Sequence, residues 1–447
     1  MQKQVISASA YSMASYATTQ TLRFVGNLFL AKLLSPAAFG VVAVVNLLIL
    51  AMNLLCDLGI AKVVIQRQGE LSKEFLNTVW MIQIARGIIV WGLALLAALV
   101  MRILQIYEIV DKSTAYADAL LPFLIVGAAS AAIFNGFEST KSITQRRDLV
   151  LGRVTAMGFV AQAISLVLMV AIARKTHSPW ALVVGGVASA FLQCVMSHVW
   201  LPGERNRRYF DKALAIDVIK RGRWIMVSSF VMFLGGNADV ITLGGMADKV
   251  ALGNYVIAFQ LANVVQLLAN TFSGNVVFPA LAAMRRDGPE AVVRGYSKLQ
   301  IGSDAFIVTA AGVFATAGGA IVRLLFDTRY AQAGTVLSCL SIGIVGIRYY
   351  VIEQQINADG NFRLTTIISA IRLVCLALGT YIGFKIGGLT GAAIAVGLSA
   401  LSGWPICIWY RAKYVGFRWY VEFAALGFLI VGCGIGVLIS MFINLFR

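Results

Sequence analysis

The chain has 447 residues, of which 59% are hydrophobic and only 13% are charged. Soluble globular proteins are about 45–50% apolar and about a quarter charged, so this composition excludes a soluble domain and indicates an all-α polytopic membrane protein. The net charge of +17 would suggest nucleic-acid binding in a soluble chain. Membrane proteins, however, concentrate Lys and Arg in cytoplasmic loops, so we expect no nucleic-acid partner.

About twenty apolar residues cross a bilayer as one helix. The opening residues lack the features of a cleaved signal peptide, so we expect the first helix to be retained. The pattern predicts about 12–14 transmembrane helices, and thirteen can be placed. They are 9–33, 38–61, 76–101, 117–137, 150–173, 180–200, 223–245, 250–279, 300–326, 333–357, 364–385, 388–410 and 420–444.

Basic residues are distributed unevenly between the predicted loops on the two sides of the membrane. With the N-terminus in the cytoplasm, 23 of them lie inside and ten outside. This excess predicts a cytoplasmic N-terminus. The remaining four, Arg23, Arg86, Arg348 and Arg372, lie within predicted spans.

The two halves of the chain resemble each other. Helix one contains Gly26-Asn27 and helix seven contains Gly236-Asn237. A Phe-Gly or Leu-Gly pair follows in each, with its glycine 13 residues after the first Asn and 16 after the second. This pattern predicts two parallel six-helix lobes. The predicted organisation is an N-terminal lobe (1–202), a basic amphipathic cytoplasmic linker (203–222), a second lobe (223–411) and an additional transmembrane helix (412–447).

Polar residues form one face of the first predicted helix. Tyr16, Gln20, Arg23 and Asn27 are spaced four, three and four apart, which places them along one side of a helix. An arginine inside a bilayer costs about 2.5–3.5 kcal/mol on insertion scales. Arg23 therefore either extends to a headgroup or faces protein or water.

Four arginines within spans favour a cationic cavity, and guanidinium groups pair bidentately with phosphate oxygens. We expect this cavity to bind substrate. Its predicted residues are Arg23, Arg86, Arg348, Arg372, Gln20, Asn27 and Asn237, although the two asparagines could instead form interhelical hydrogen bonds.

Three acidic residues, Asp239, Glu353 and Asp57, are candidates for ion coupling by binding protons or Na⁺. Asp239 could equally neutralise one of the arginines within the spans.

Catalytic and metal-binding patterns are not found in the sequence. His177 and His198 have no ligand-spaced neighbours, and the six cysteines include no CxxC motif, so we expect no metal and no cofactor. The longest predicted outside loop, 102–116, is too short for a catalytic domain. Neither a nucleophile triad nor a Gly-rich phosphate loop occurs. We therefore expect a protein that is not an enzyme.

Two long stretches resemble a known family. The run "LAKLLSPAAFGVVAVVNLLILAMNLLCDLGIAKVVIQR" is similar to the N-terminal signature of the polysaccharide transporter (Wzx-like) flippases. The run "GNADVITLGGMADKVALGNYVIAFQLANVV" is similar to the second-half pattern of the same family. The resemblance covers most of the chain, but the odd helix count departs from the even number usual in that family.

The resemblance implies the multidrug/oligosaccharidyl-lipid/polysaccharide exporter fold, with two six-helix lobes around a central cavity. It implies a flippase for isoprenoid-pyrophosphate-linked oligosaccharide repeat units in the bacterial inner membrane, serving surface or exopolysaccharide synthesis. The partners would be the lipid-linked oligosaccharide, membrane lipids and the polysaccharide polymerase or export machinery. A flippase for the peptidoglycan lipid precursor and a multidrug exporter of the same fold are the alternatives.

Overall fold

The computed structural model describes residues 20–67, 71–148, 150–286, 288–416 and 418–445, and these residues form helices and no β-strands. The predicted first span, 9–33, begins outside them, and Tyr16 lies outside as well. Helix α1 covers 20–33. The helices that follow are α2 (Pro36–Leu55), α3 (Ile60–Gln66), α4 (Lys73–Ile106), α5 (Leu121–Phe137), α6 (Lys141–Arg147), α7 (Leu151–Thr176), α8 (Trp180–Val199), α9 (Lys212–Met246), α10 (Lys249–Phe272), α11 (Phe278–Arg286), α12 (Pro289–Leu325), α13 (Ala331–Gly346), α14 (Tyr350–Ala358), α15 (Phe362–Leu401), α16 (Trp404–Tyr414) and α17 (Trp419–Leu445).

Within the described residues, ten helical segments are long and apolar enough to cross a membrane, or eleven if the bent pair α5 and α6 is one span. One of the ten, Phe362–Tyr414, contains non-helical backbone at Gly387 and Gly388. This break lies where the sequence predicts one span to end and the next to begin. The predicted all-α polytopic membrane fold is confirmed.

The chain divides into two compact units, the first ending at Phe233 and the second beginning at Leu234. This boundary lies within α9, which runs without a break from Lys212 to Met246. The sequence boundaries of the two lobes, the linker and the additional helix remain a prediction.

The basic stretch between α8 and α9 is a loop held against the first unit. Asn206 accepts a hydrogen bond from the Ser139 hydroxyl and donates one to the Thr140 hydroxyl, both at 2.7 Å. Asp211 then caps α9, because its carboxylate accepts two backbone N–H groups of the first turn at 2.8 and 3.0 Å. Residues 212–222, the last part of the predicted amphipathic linker (203–222), are therefore the first turns of α9.

Helices α2 and α10 begin in the same way, in the first and the second unit respectively. Ser35 caps α2 and Asp248 caps α10, each accepting a backbone N–H of the first turn on its side chain. Gly40 and Gly253, the glycines of the repeated pair, each lie five residues after their cap. The three-residue difference between the two repeats therefore lies before the caps, while the helices themselves start in register.

The last helix, α17, packs closely along α12 in the second unit. A Cβ added at Gly432 would lie 2.3 Å from the carbonyl oxygen of Thr309, and one at Gly436 would lie 2.1 Å from the Thr316 hydroxyl. Small residues allow membrane helices to approach to backbone contact, where dispersion forces and hydrogen bonds act. Helix α17 lies in the segment predicted as an additional transmembrane helix (412–447). It packs directly against α12 of the same unit.

We predict that Gly432→Ala lowers the stability of the second unit, because overpacking costs about 1–3 kcal/mol. Gly434→Ala is the matched control, since a Cβ at Gly434 would meet no atom within 4 Å. The measurement is the thermal unfolding midpoint of the purified protein, together with its level in the membrane. Equal midpoints for the two variants would contradict this account of the α12–α17 contact.

Candidate binding site

The first unit contains a polar cavity of about 470 Å³, with walls from α1, α2, α5, α7 and α8. Two predicted site residues, Arg23 and Asn27, line it. The described residues that line this cavity include no Asp or Glu. Its polar lining consists of Arg23, Asn27, Asn46, Asn135, Gln162, Ser165, Ser189 and Gln193.

Arg23 is exposed on the cavity side of α1 and forms no ion pair with any described carboxylate. At Gly26 the first helix comes close to α7, because a Cβ there would lie 2.7 Å from a methyl carbon of Leu166. This contact places Arg23 and Asn27, which are one helical turn apart, along the cavity wall. The cavity therefore presents a cationic group that can receive an anion.

Four carboxamides of this cavity, Asn46, Asn135, Gln162 and Gln193, were not singled out from the sequence. Each lies within an apolar helix, where a polar side chain normally faces protein or water. A polar residue in an apolar span is the feature that marks Asn27, and the same feature marks these four residues. The sequence does not show how α2, α5, α7 and α8 are rotated about their axes. This rotation turns the four carboxamides towards one cavity.

The second unit contains a smaller cavity of about 240 Å³, which Arg372 lines. The guanidinium of Arg372 donates two hydrogen bonds to Glu353, at 2.5 and 3.3 Å. Tyr350 lies beside them and accepts a hydrogen bond from Gln266 at 3.3 Å. Two residues predicted to act separately, one on substrate and one in ion coupling, are thus paired with each other.

Arg348 lies in a buried ionic network of the second unit and lines neither cavity. It is only 7% exposed and donates to both carboxylate oxygens of Asp304, at 2.7 and 3.2 Å. Its third bond, at 2.5 Å, goes to Glu422, which also accepts from Arg411. This network connects α12, α16 and α17 to the turn after α13.

Arg86 of α4 binds the C-terminal end of α2. Its guanidinium donates to the backbone carbonyl of Asn53 at 3.2 Å and more weakly to the Asn53 side chain at 3.4 Å. The last four carbonyls of a helix have no partner within the helix and attract cations. Arg86 therefore has a capping contact in the first unit and lies outside the two cavities described above.

Asp239 is 1% exposed and accepts a hydrogen bond from the hydroxyl of Tyr255 on α10. Its other oxygen, Oδ1, has no partner among the described residues, and no described arginine lies within ion-pair distance. The interpretation of Asp239 as a neutralising partner for an arginine therefore receives no support from these contacts. Its role in ion coupling stays a prediction.

The other predicted residues lie apart from the two cavities. Gln20 on α1 and Asn237 on α9 are half-buried, and neither lines a cavity described above. Asp57 follows α2 and accepts the backbone N–H of Gly59 at 3.0 Å, which stabilises the turn into α3. The predicted set is therefore distributed over several environments, and its functional roles remain predictions.

The fold that contains these cavities is similar to those of two solved membrane proteins, a flippase and a transporter. The structure of the lipid II flippase MurJ, in an inward closed conformation, matches it with a TM-score of 0.72, at 13% sequence identity and over 97% of each chain. An inward-facing multidrug resistance MATE family transporter of the MOP superfamily matches with a TM-score of 0.61, at 13% identity, over 90% of this chain and 95% of that one. These likenesses show the fold.

The chain belongs to the polysaccharide biosynthesis protein family, which matches residues 29–334. It is also similar to the lipopolysaccharide biosynthesis protein WzxC of Escherichia coli (strain K12), with 20% identity over 98% of this chain and 89% of that protein. The predicted family is confirmed. The expectation of a membrane transporter instead of an enzyme agrees with this family and with the fold shared with the two solved structures.

We predict that Asp304→Asn destabilises the second unit, because removing one partner from a buried ion pair costs about 3–5 kcal/mol. The double variant with Arg348→Gln should regain part of this loss, since no unpaired charge is then buried. Asp327→Asn is the control, because its pair with Arg329 is exposed and such pairs contribute about 0–1 kcal/mol. Thermal unfolding midpoints of the three variants test this. A stable but inactive Asp304→Asn protein would instead indicate a direct role of this network in transport.

Proposed function

We propose that the chain is a flippase that moves isoprenoid-pyrophosphate-linked oligosaccharide repeat units across the bacterial inner membrane, by alternating access, for surface or exopolysaccharide synthesis. Two findings support the general class: membership of the polysaccharide biosynthesis family and a flippase-like fold. The substrate is inferred from the chemistry of the cavity in the first unit.

The observation that carries the proposal is the environment of Arg23. This residue faces a polar cavity of about 470 Å³ whose described lining contains no carboxylate. A guanidinium in an apolar protein region is costly unless it meets an anion or water. A pyrophosphate supplies several oxygens, with which the guanidinium fork forms charge-assisted bidentate hydrogen bonds.

The other three predicted arginines have contacts within the protein. Arg348 and Arg372 are bonded to carboxylates, and Arg86 is bonded to the end of α2. We therefore assign the first contact with pyrophosphate to Arg23. A later role for Arg372 would require its release from Glu353.

The same cavity separates this proposal from its two alternatives. A multidrug exporter that takes organic cations would favour acidic cavity walls, whereas the described lining has no Asp or Glu. A flippase for the peptidoglycan lipid precursor would also need a cationic cavity. The family match and the similarity to a lipopolysaccharide biosynthesis protein favour the polysaccharide precursor.

The proposed substrate determines the proposed partners. Its isoprenoid tail stays among membrane lipids while the headgroup crosses, so lipids contact the protein throughout the cycle. A polymerase or export machinery on the far side would take up the translocated repeat units. The proposed reaction makes and breaks no covalent bond, so we expect no cofactor.

We predict a graded response to substitutions of Arg23. Arg23→Lys keeps the charge and loses the fork, so export should be partly active; Arg23→Gln should lower it roughly tenfold or more, and Arg23→Glu should abolish it. The measurement is export of surface polysaccharide in a strain that lacks the native gene, at matched membrane levels. Arg102→Glu, an exposed position near the end of α4, is the control.

Two results would contradict the role of Arg23. Normal export by Arg23→Glu would show that this side chain does not contact substrate. A loss of export that only follows a loss of protein would show that Arg23 stabilises the fold and does not bind the ligand.

We also propose that the N-terminus is cytoplasmic, because basic residues are concentrated in the loops on that side. With the native cysteines replaced, a single cysteine at Tyr209 should be shielded from an impermeant thiol reagent in intact cells. A single cysteine at Tyr107 should react. Both side chains are exposed, at 45% and 73%, so access to the side chain itself does not limit labelling. Labelling of position 209 from outside would reverse the orientation.

A further inference from the structure

Three carboxamides in the cavity of the first unit have no hydrogen-bond partner among the described residues. They are Asn46 on α2, Asn135 on α5 and Gln162 on α7. Asn46 and Asn135 are exposed to the cavity, and Gln162 is half-buried. We call these three side chains the amide set.

Other polar groups in the same helices behave differently. Asn53, two turns after Asn46 on α2, donates to the carbonyl of Ile49 at 2.9 Å. Ser165 of α7 also lines the cavity, but its hydroxyl donates to the carbonyl of Gly185 at 2.6 Å. Polar side chains of these spans thus can be satisfied within the protein, and the amide set is not.

A polar group in a membrane-spanning segment is costly unless it is hydrogen-bonded. The amide set lies on three helices around one cavity, which indicates that the cavity receives an occupant that forms hydrogen bonds. A carboxamide offers two N–H donors and a carbonyl acceptor. This combination matches hydroxyl and acetamido groups, which also donate and accept, and it adds no charge to the cavity.

We propose that the amide set binds the sugar next to the pyrophosphate, through its hydroxyl or acetamido groups, while Arg23 binds the pyrophosphate itself. This inference rests on the proposed function and adds a glycan-recognition site within the first unit. A volume of about 470 Å³ falls within the range of about 300–1,000 Å³ found for small-molecule sites. The described lining has no carboxylate to repel an acidic sugar.

The test compares two lipids on the purified full-length protein in lipid nanodiscs. One is undecaprenyl pyrophosphate, and the other is the lipid-linked repeat unit extracted from the host strain. Asn46→Leu, Asn135→Leu and Gln162→Met keep the size of each side chain and remove its hydrogen bonds. Gln145→Ala, an amide of α6 outside the cavity, is the control.

Each of the three variants should bind the glycosylated lipid about three- to tenfold more weakly and bind the bare lipid as the wild type does. Arg23→Gln should weaken binding of both lipids. The unfolding midpoints of the three variants should equal or exceed that of the wild type, because unpaired polar groups are removed.

Three results would overturn the inference. Equal affinity of all proteins for the glycosylated lipid would show that the amide set does not contact sugar. A lowered unfolding midpoint, with both lipids weakened alike, would show that these amides stabilise the helices. In both cases the proposed function would stand if the wild type binds both lipids. If the wild type binds neither lipid, the proposed function itself fails, and this inference fails with it.

Discussion

A guanidinium inside a membrane protein needs a carboxylate, a carbonyl or water beside it, because the apolar surroundings cannot replace its hydration. The two units meet this requirement differently. In the second, Arg348 and Arg372 are bonded to carboxylates, so their charges are used in holding helices together. In the first, Arg86 binds a helix end and Arg23 faces a cavity. Arg86, Arg348 and Arg372 therefore stabilise contacts within the protein, whereas Arg23 can bind a ligand.

The second unit shows how such charges determine packing. The bonds of Arg348 to Asp304 and Glu422 connect α12 to α17 near one end of their contact, while the glycines of α17 bring the two backbones together further along. Neither interaction has the hydrophobic driving force that operates in water, since lipid is as apolar as the helix surface. Close packing and buried ion pairs take its place.

The sequence predicted those features that are decided locally. Hydropathy predicted the all-α membrane fold and the interruption at Gly387–Gly388, and helical spacing placed Arg23 and Asn27 on one face of a helix, where both line the cavity. Tertiary partners could not be predicted in this way. Glu422 lies 74 positions after Arg348, and nothing in the local sequence around either residue indicates that they meet. The same limit applies to Asn46 and Asn135, which lie on separate helices and line the same cavity.

The position of Glu422 has a consequence for biogenesis. Arg348 and Arg411 both precede Glu422 in the chain, so the ribosome releases two cations before the carboxylate that they share. Until α17 is inserted, Arg348 has Asp304 as its acidic partner, and the carboxylate of Glu422 that joins Arg348 to Arg411 is missing. Closure of the ionic network therefore follows the synthesis of both arginines and requires the insertion of α17. A chain cut short before Glu422 would keep the contact between Arg348 and Asp304 and would lose the carboxylate that links this pair to Arg411.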